Sequence, residues 1–211
     1  MNGITTGIRC RRQTVTVLFV DIVGYTSIVD DLDCADVREL QVDYFTAVSA
    51  EVQAEGGIVE KFIGDAVMAV FGVAGPGAGA PDEVGCAAAG AVRAGLRVQE
   101  ALRGRLLAGR FPVRTRVGLA TGDAIVDPEQ ARDGGYGMVS GSVVSTAARL
   151  QAYAPHDTVV VCAATREVTD HAIAYQEMPP VSVAGKSAPV ELSRALFPQV
   201  MTAELALQTC G

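Results

Sequence analysis

Two apolar runs, each ending on an aspartate beside a glycine, constrain this chain more than any other feature. Val15-Thr16-Val17-Leu18-Phe19-Val20 reads as a buried strand that stops at Asp21, followed by Ile22-Val23-Gly24-Tyr25-Thr26. Ile58 to Phe62 and Ala66 to Phe71 read as a second and third strand, and Gly64 permits the tight reversal between them. That hairpin lifts Asp65 to the tip of an apolar sheet. An ionised carboxylate is costly beside so much apolar surface unless something neutralises it, and a bound cation would do so. Taken singly, Asp21 is equally well a helix-start residue and Asp65 an ordinary turn residue. Taken together, they place a carboxylate pair at one sheet edge, the arrangement with which proteins hold Mg²⁺ beside substrate phosphates.

The rest of the composition limits what such an edge can serve. The 211 residues suit one domain with a substantial core, and 49% hydrophobic against 19% charged residues excludes a disordered chain. A net charge of −7 argues against nucleic acid or an anionic membrane as the main partner, and the absence of Trp argues against a broad stacking platform. A triphosphate remains compatible, because metal ions and a few local cations supply the attraction. Cys10, Cys34, Cys86, Cys162 and Cys210 are scattered and odd in number, and read as reduced thiols of a cytoplasmic protein. No secretory signal is evident at the start, and no apolar run approaches the ~20 residues of a membrane helix. The Ala-rich stretch from Cys86 to Leu102 is interrupted by Arg93, Arg97 and Glu100.

In chain order, residues 1–12 read as a leader, and the first strand runs from Thr14 to Val20. Thr26 to Val52 is predicted helical, with Val37, Leu40, Tyr44 and Val48 on one face, and Gly56-Gly57 ends it. The backbone N–H groups after Asp21, at this helix start, favour an anion. A Gly/Pro/Ala loop follows at 73–81, then a helix from Glu83 to about Leu107 capped by Asp82. Phe111 to Ala120 is a strand, Thr121-Gly122-Asp123 a turn, and 127–136 a polar loop. A helix spans Ser142 to Tyr153, a strand Thr158 to Cys162, and a short helix Ala163 to Asp170. Strands at Ile173 to Met178 and Val190 to Leu196 close the domain. The order β-α-β-β-α-β with extra C-terminal strands predicts an α/β ferredoxin-like sandwich, with helices packed on one sheet face. The domain is expected over 13–197, with a tail over 198–211.

Four motifs occur in order: Val17-Leu18-Phe19-Val20-Asp21-Ile22-Val23-Gly24-Tyr25-Thr26, Lys61-Phe62-Ile63-Gly64-Asp65, Arg116-Val117-Gly118-Leu119-Ala120-Thr121-Gly122, and Val143-Val144-Ser145-Thr146-Ala147-Ala148-Arg149-Leu150. Together they resemble the class III nucleotidyl cyclase catalytic domain. The resemblance implies attack of the ribose 3′-hydroxyl of a nucleoside triphosphate on its own α-phosphorus, with two Mg²⁺ or Mn²⁺ ions held by Asp21, Asp65 and the Ile22 backbone carbonyl. The N–H groups of Ile22 to Thr26 at the helix start would then hold the triphosphate, with Gly24, Tyr25 and Thr26 as its binding residues. The resemblance implies that Arg149 stabilises the transition state, and that Ser145, where the family usually has Asn, orients the ribose. Lys61 and Ser142 fall where the family reads the base. A lysine donor suits adenine N1 and is mismatched to guanine N1–H, so ATP is the expected substrate. Lys186, in Val183-Ala184-Gly185-Lys186, falls on the family's last active-site loop and would meet the outer phosphates, although the family's more usual lysine position is Ala184. The resemblance also implies a homodimer with shared sites: Asp21 and Asp65 from one subunit, Lys61, Ser142, Ser145, Arg149 and Lys186 from the other, and the 127–136 loop as an arm embracing the partner. Guanylate cyclase is one alternative. A weakly active or silent homologue that binds nucleotide and dimerises is the other, motivated by Ser145 and Ala184.

Overall fold

The central strand is β1 (Arg11–Ile22), whose side chains alternate between two cores. The computed structural model describes residues 10–73, 81–127, 139–181 and 190–196. After β1 come α1 (Tyr25–Asp30), α2 (Cys34–Ala54), β2 (Ile58–Ile63), β3 (Ala66–Phe71) and α3 (Pro81–Leu102). Two short strands follow, β4 (Leu106–Leu107) and β5 (Phe111–Pro112), then the long β6 (Thr115–Val126) and β7 (Val139–Ser140). The chain continues through α4 (Ser142–Tyr153), β8 (Thr158–Cys162), α5 (Ala163–Thr169), β9 (Tyr175–Val181) and β10 (Val190–Ala195). The main sheet runs β2-β3-β1-β6-β8-β10-β9, with β7 paired to β6; among the described residues β6 and β8 are the parallel pair.

On one face Leu18, Val20 and Ile22 pack with Leu40, Tyr44, Val48 and Val52 of α2 and with Val92 and Leu96 of α3. On the other, Val15, Val17 and Phe19 pack with Val143, Ala147 and Leu150 of α4. The α/β sandwich is as expected, but its helices cover both faces, because β1 is apolar on both of its sides. Gly118 of β6 lets α4 approach closely: a Cβ there would lie 2.1 Å from the Gln151 nitrogen and 2.7 Å from the Ala147 carbonyl oxygen.

Several boundaries differ from the sequence reading. β1 begins at Arg11, because Arg12 and Thr14 are held by Asp123 across the β1–β6 ladder at 2.7 and 2.9 Å. The expected helix over 26–52 is two helices, since the Asp33 carboxylate accepts from the Ala35 and Asp36 N–H groups and starts α2 afresh. α3 starts at Pro81, a residue suited to a first helical position, so Asp82 lies within its first turn. It ends at Leu102, and β4 and β5 form a separate hairpin tied to α2 by Arg105–Asp43 and Arg110–Asp36 pairs. Thr121-Gly122-Asp123 is not a turn but part of β6. Thr121 Oγ1 lies 2.8 Å from Thr16 Oγ1 and 2.9 Å from Thr165 Oγ1, so these polar residues form a buried hydroxyl chain. Among the described residues, no helix is long and apolar enough to cross a membrane. Residues 74–80 of the expected 73–81 loop, residues 128–136 of the expected 127–136 arm, Lys186 and the tail after Leu196 lie outside the described residues.

Candidate active site

β1 delivers Asp21 one residue before its end, and the β2–β3 hairpin delivers Asp65 directly after Gly64, whose φ of 63° is left-handed. β1 and β3 are hydrogen-bonded neighbours, which brings the two carboxylates together. Asp65 Oδ2 accepts from the Ile22 N–H at 3.0 Å, which sets its carboxyl next to that of Asp21, close enough for the two to share a proton in a hydrogen bond. Burial, then that hydrogen bond and the Asp21 charge, push the Asp65 carboxyl up to about 7, while the Ile22 N–H and the Asp65 N–H oppose the shift.

Three neighbours to which the sequence motifs assign no role complete the cluster, although Arg116 heads one of those motifs. Arg116, opposite Asp21 in the β1–β6 register, donates from Nη2 to Asp21 Oδ2 at 2.8 Å. Gln151, buried on α4, donates from Nε2 to the same oxygen at 2.9 Å, and Arg116 Nη1 also reaches the Ala152 carbonyl at 3.3 Å. Tyr44 of α2 is 1% exposed, and its hydroxyl has no hydrogen-bond partner among the described residues. Its pKa is raised well above the usual tyrosine value, chiefly by burial and then by the charges of Asp65 and Asp21.

This donor set fits a hard divalent cation. Two crowded carboxylates, one driven toward protonation, lose their mutual repulsion when a cation sits between them. No group of three or more His, Cys, Asp or Glu side chains forms a metal cage among the described residues. The remaining ligands would be backbone, water and substrate oxygens, as Mg²⁺ prefers.

The other sequence-predicted residues lie apart from this pair. Gly24 holds φ 70° at the start of α1, where the following N–H groups have no intrahelical acceptor, and Thr26 is exposed. The Ile22 N–H is spent on Asp65 and the Val23 N–H on the Arg114 carbonyl, which narrows the expected anion-binding stretch to Gly24, Tyr25 and Thr26. The Tyr25 ring packs against the α2-side core, and its hydroxyl accepts from Gln41 at 2.7 Å. Lys61 on β2 pairs with Glu60 at 3.0 Å. Ser142, Ser145 and Arg149 lie on the side of α4 turned away from the buried Val143, Ala147 and Leu150. Ser145 Oγ donates to the Ser142 carbonyl at 2.9 Å. Among the described residues, no hydrogen bond or ion pair joins Lys61, Ser142, Ser145 or Arg149 to the aspartates. A cavity of about 490 Å³ between α5, β9 and β10, lined by Arg166, Asp170, Glu177 and Ser193, contains none of these residues.

The sequence profile of the family described as the adenylate and guanylate cyclase catalytic domain matches residues 9–193. The chain belongs to that family. This cyclase domain is 32% identical over 188 residues to an uncharacterized protein of Rhizobium meliloti, covering 88% of this chain and 17% of that protein. It is 35% identical over 136 residues to an uncharacterized protein of Mycobacterium tuberculosis, covering 64% of this chain and 23% of that protein. The domain thus spans about a sixth to a quarter of the length of these curated relatives. In structure it is similar to the adenylyl cyclase CyaB from P. aeruginosa, with a TM-score of 0.77 and 23% identity over 90% of this chain and 97% of that one. It is also similar to the guanylate cyclase domain of RhGC from Catenaria anguillulae in complex with GTP, with a TM-score of 0.74 and 20% identity over 88% and 98%. Adenylyl and guanylyl cyclases share this fold, so the fold does not select the base. Class III cyclase domains generally use divalent metals, in keeping with the Asp21–Asp65 pair.

Proposed function

We propose that this cyclase domain converts ATP to 3′,5′-cyclic AMP and pyrophosphate at two equivalent sites shared between two copies of the chain. The observation that carries the reading is the Asp21–Asp65 pair, two carboxylates that the β1–β3 pairing and the Ile22 N–H bond to Asp65 set side by side near an exposed loop. When bound between them, Mg²⁺ or Mn²⁺ supplies polarisation of the 3′-hydroxyl and neutralisation of triphosphate charge. Asp21, Asp65 and the Ile22 carbonyl would hold the cations; Gln151 and Arg116 fix the Asp21 carboxylate through Oδ2. The N–H groups of Gly24, Tyr25 and Thr26 face the phosphates. From the partner copy, Lys61 donates to adenine N1 and the Ser142 hydroxyl accepts from the adenine amino group. Ser145 orients the ribose, Lys186 meets the outer phosphates, and the Arg149 fork stabilises charge on the α-phosphate as the 3′-oxygen displaces pyrophosphate.

The same geometry motivates a second reading. Ser145 Oγ is turned back onto the Ser142 carbonyl, so it reaches outward less than the amide usual in the family, which favours slow turnover or a nucleotide-binding dimerisation module. Incubation of purified protein with ATP or GTP and Mn²⁺, with cyclic AMP and cyclic GMP quantified beside an Asp65→Ala control, separates the readings. Cyclic AMP lost in the control supports the cyclase. ATP binding by a demonstrated dimer without any cyclic product supports the module.

Sharing of sites has its own test. Asp65→Ala and Arg149→Ala proteins, each inactive alone, should recover about one quarter of wild-type activity when mixed equally. Half of the randomly formed dimers then carry one intact site of two. No recovery in dimers shown to exchange subunits would refute sharing. Gln151→Leu removes a donor from Asp21 and is expected to weaken Mn²⁺ affinity by about tenfold or more, measured by titration calorimetry. Unchanged affinity would show that Arg116 alone holds the carboxylate.

A further inference from the structure

Glu60 is a charged side chain enclosed in the core edge of β2: the residue is 1% exposed, and its side chain is fully covered. Its carboxylate lies 3.0 Å from Lys61 Nζ, whose own side chain is 32% exposed. Successive residues of a regular strand point to opposite faces, so neighbours do not ordinarily meet this way. Here the β2–β3 ladder carries an irregularity. Val59 pairs with Ala69 and Lys61 with Met68, which leaves Glu60 as the extra residue of a bulge. Bulges re-aim side chains, and this one brings a buried carboxylate and a half-exposed ammonium to one side of the strand.

We propose that Glu60 is a positioning residue for base selection: it fixes the Lys61 ammonium and thereby sets the preference for adenine. This rests on the proposed reaction, in which Lys61 reads the base. A lysine ammonium on its four-carbon stem has three donors and many rotamers. An ion pair at 3.0 Å to a carboxylate that cannot move confines the ammonium and leaves its donors to turn to an acceptor such as adenine N1. A second consequence concerns exchange of specificity. Glutamate at the Lys61 position, a carboxylate able to accept from guanine N1–H, would put two carboxylates side by side with one of them buried. Lys61→Glu alone therefore destabilises this protein instead of converting it, and conversion requires Glu60 to be neutralised as well.

The test compares wild type, Glu60→Gln, Lys61→Glu and the double variant by thermal melting and by steady-state kinetics with ATP and GTP. Glu60→Gln is expected to lower the kcat/KM preference for ATP over GTP roughly tenfold, through KM for ATP more than through kcat. In melting, Glu60→Gln should raise the stability of the Lys61→Glu protein and fail to raise that of wild type, a sign reversal that only direct interaction produces. An unchanged nucleotide preference with a lowered melting temperature would make Glu60 purely structural and overturn the proposal. Equal melting shifts in both backgrounds would overturn the pairing itself. A wild type that forms neither cyclic product would refute the reaction and the base-selecting role with it, whereas the melting comparison reads the Glu60–Lys61 pairing independently of turnover.

Discussion

Asp65→Asn is expected to lower turnover by at least about 100-fold while making the metal-free protein more stable at neutral pH. The two effects have one cause. The Asp65 carboxyl is half-buried beside Asp21, which raises its pKa from 3.8 to about 7. Between those values the folded protein keeps a proton that the unfolded chain has released. The sign follows: this group's contribution to stability is fully present below about 4 and is lost as the pH rises through 7. Above that, two charged carboxylates are crowded together unless a cation separates them. An amide keeps the shape and hydrogen-bonding reach of Asp65, removes the repulsion, and removes a metal ligand. The melting temperature of Asp65→Asn should therefore exceed that of wild type by a margin that widens from pH 5 to pH 8 without metal. Saturating Mn²⁺ should reverse the order by stabilising wild type alone. A margin independent of pH would show that repulsion from Asp21 does not govern the site. A stabilisation of the variant by Mn²⁺ equal to that of wild type would remove Asp65 from the ligands.

Gly118→Ala is expected to cost about 3 kcal/mol or more, roughly 6–12 °C in melting temperature for a chain of this size. The added Cβ would lie 2.1 Å from the Gln151 nitrogen, 2.6 Å from its Cα and 2.7 Å from the Ala147 carbonyl oxygen. All three are backbone atoms of α4, so no side chain can swing aside; the helix must lift from the sheet. Lifting α4 also pulls Gln151 from Asp21 and displaces Arg149, so activity should fall in whatever fraction remains folded. Gly122→Ala, on the same strand, is the control. Its Cβ would meet nothing closer than Val143 Cβ at 3.6 Å, an ordinary contact, and it should cost under about 1 kcal/mol. Similar losses for the two variants would mean that glycine in β6 matters for backbone reasons unrelated to α4.

The parts of this protein that were legible in its sequence are those set by local pattern. Val15–Val20, Ile58–Phe62 and Ala66–Phe71 are short, apolar and bounded by Gly or Asp, and they are strands in the structure. Placement of Asp21 and Asp65 at strand ends follows from the same pattern, as does α4 over Ser142–Tyr153. Local signals that were weaker than a neighbouring pattern misled. The Asp33 cap was hidden inside a continuous helical periodicity, and Thr121-Gly122-Asp123 looks like a turn until Thr16, Thr165, Arg12 and Thr14 are set against it.

The tertiary structure alone decided what surrounds the aspartates. Arg116 and Gln151 are 95 and 130 residues from Asp21 in sequence, and they meet one oxygen because β6 pairs beside β1 in one register and α4 seats on Gly118. Glu60 and Lys61 are adjacent in sequence, yet their pairing depends on a bulge that only the β2–β3 register reveals. Periodicity specifies which face of an element is apolar. It carries no information on which element will cover that face or on the register in which they meet, and at this site the register sets the charge around each carboxylate.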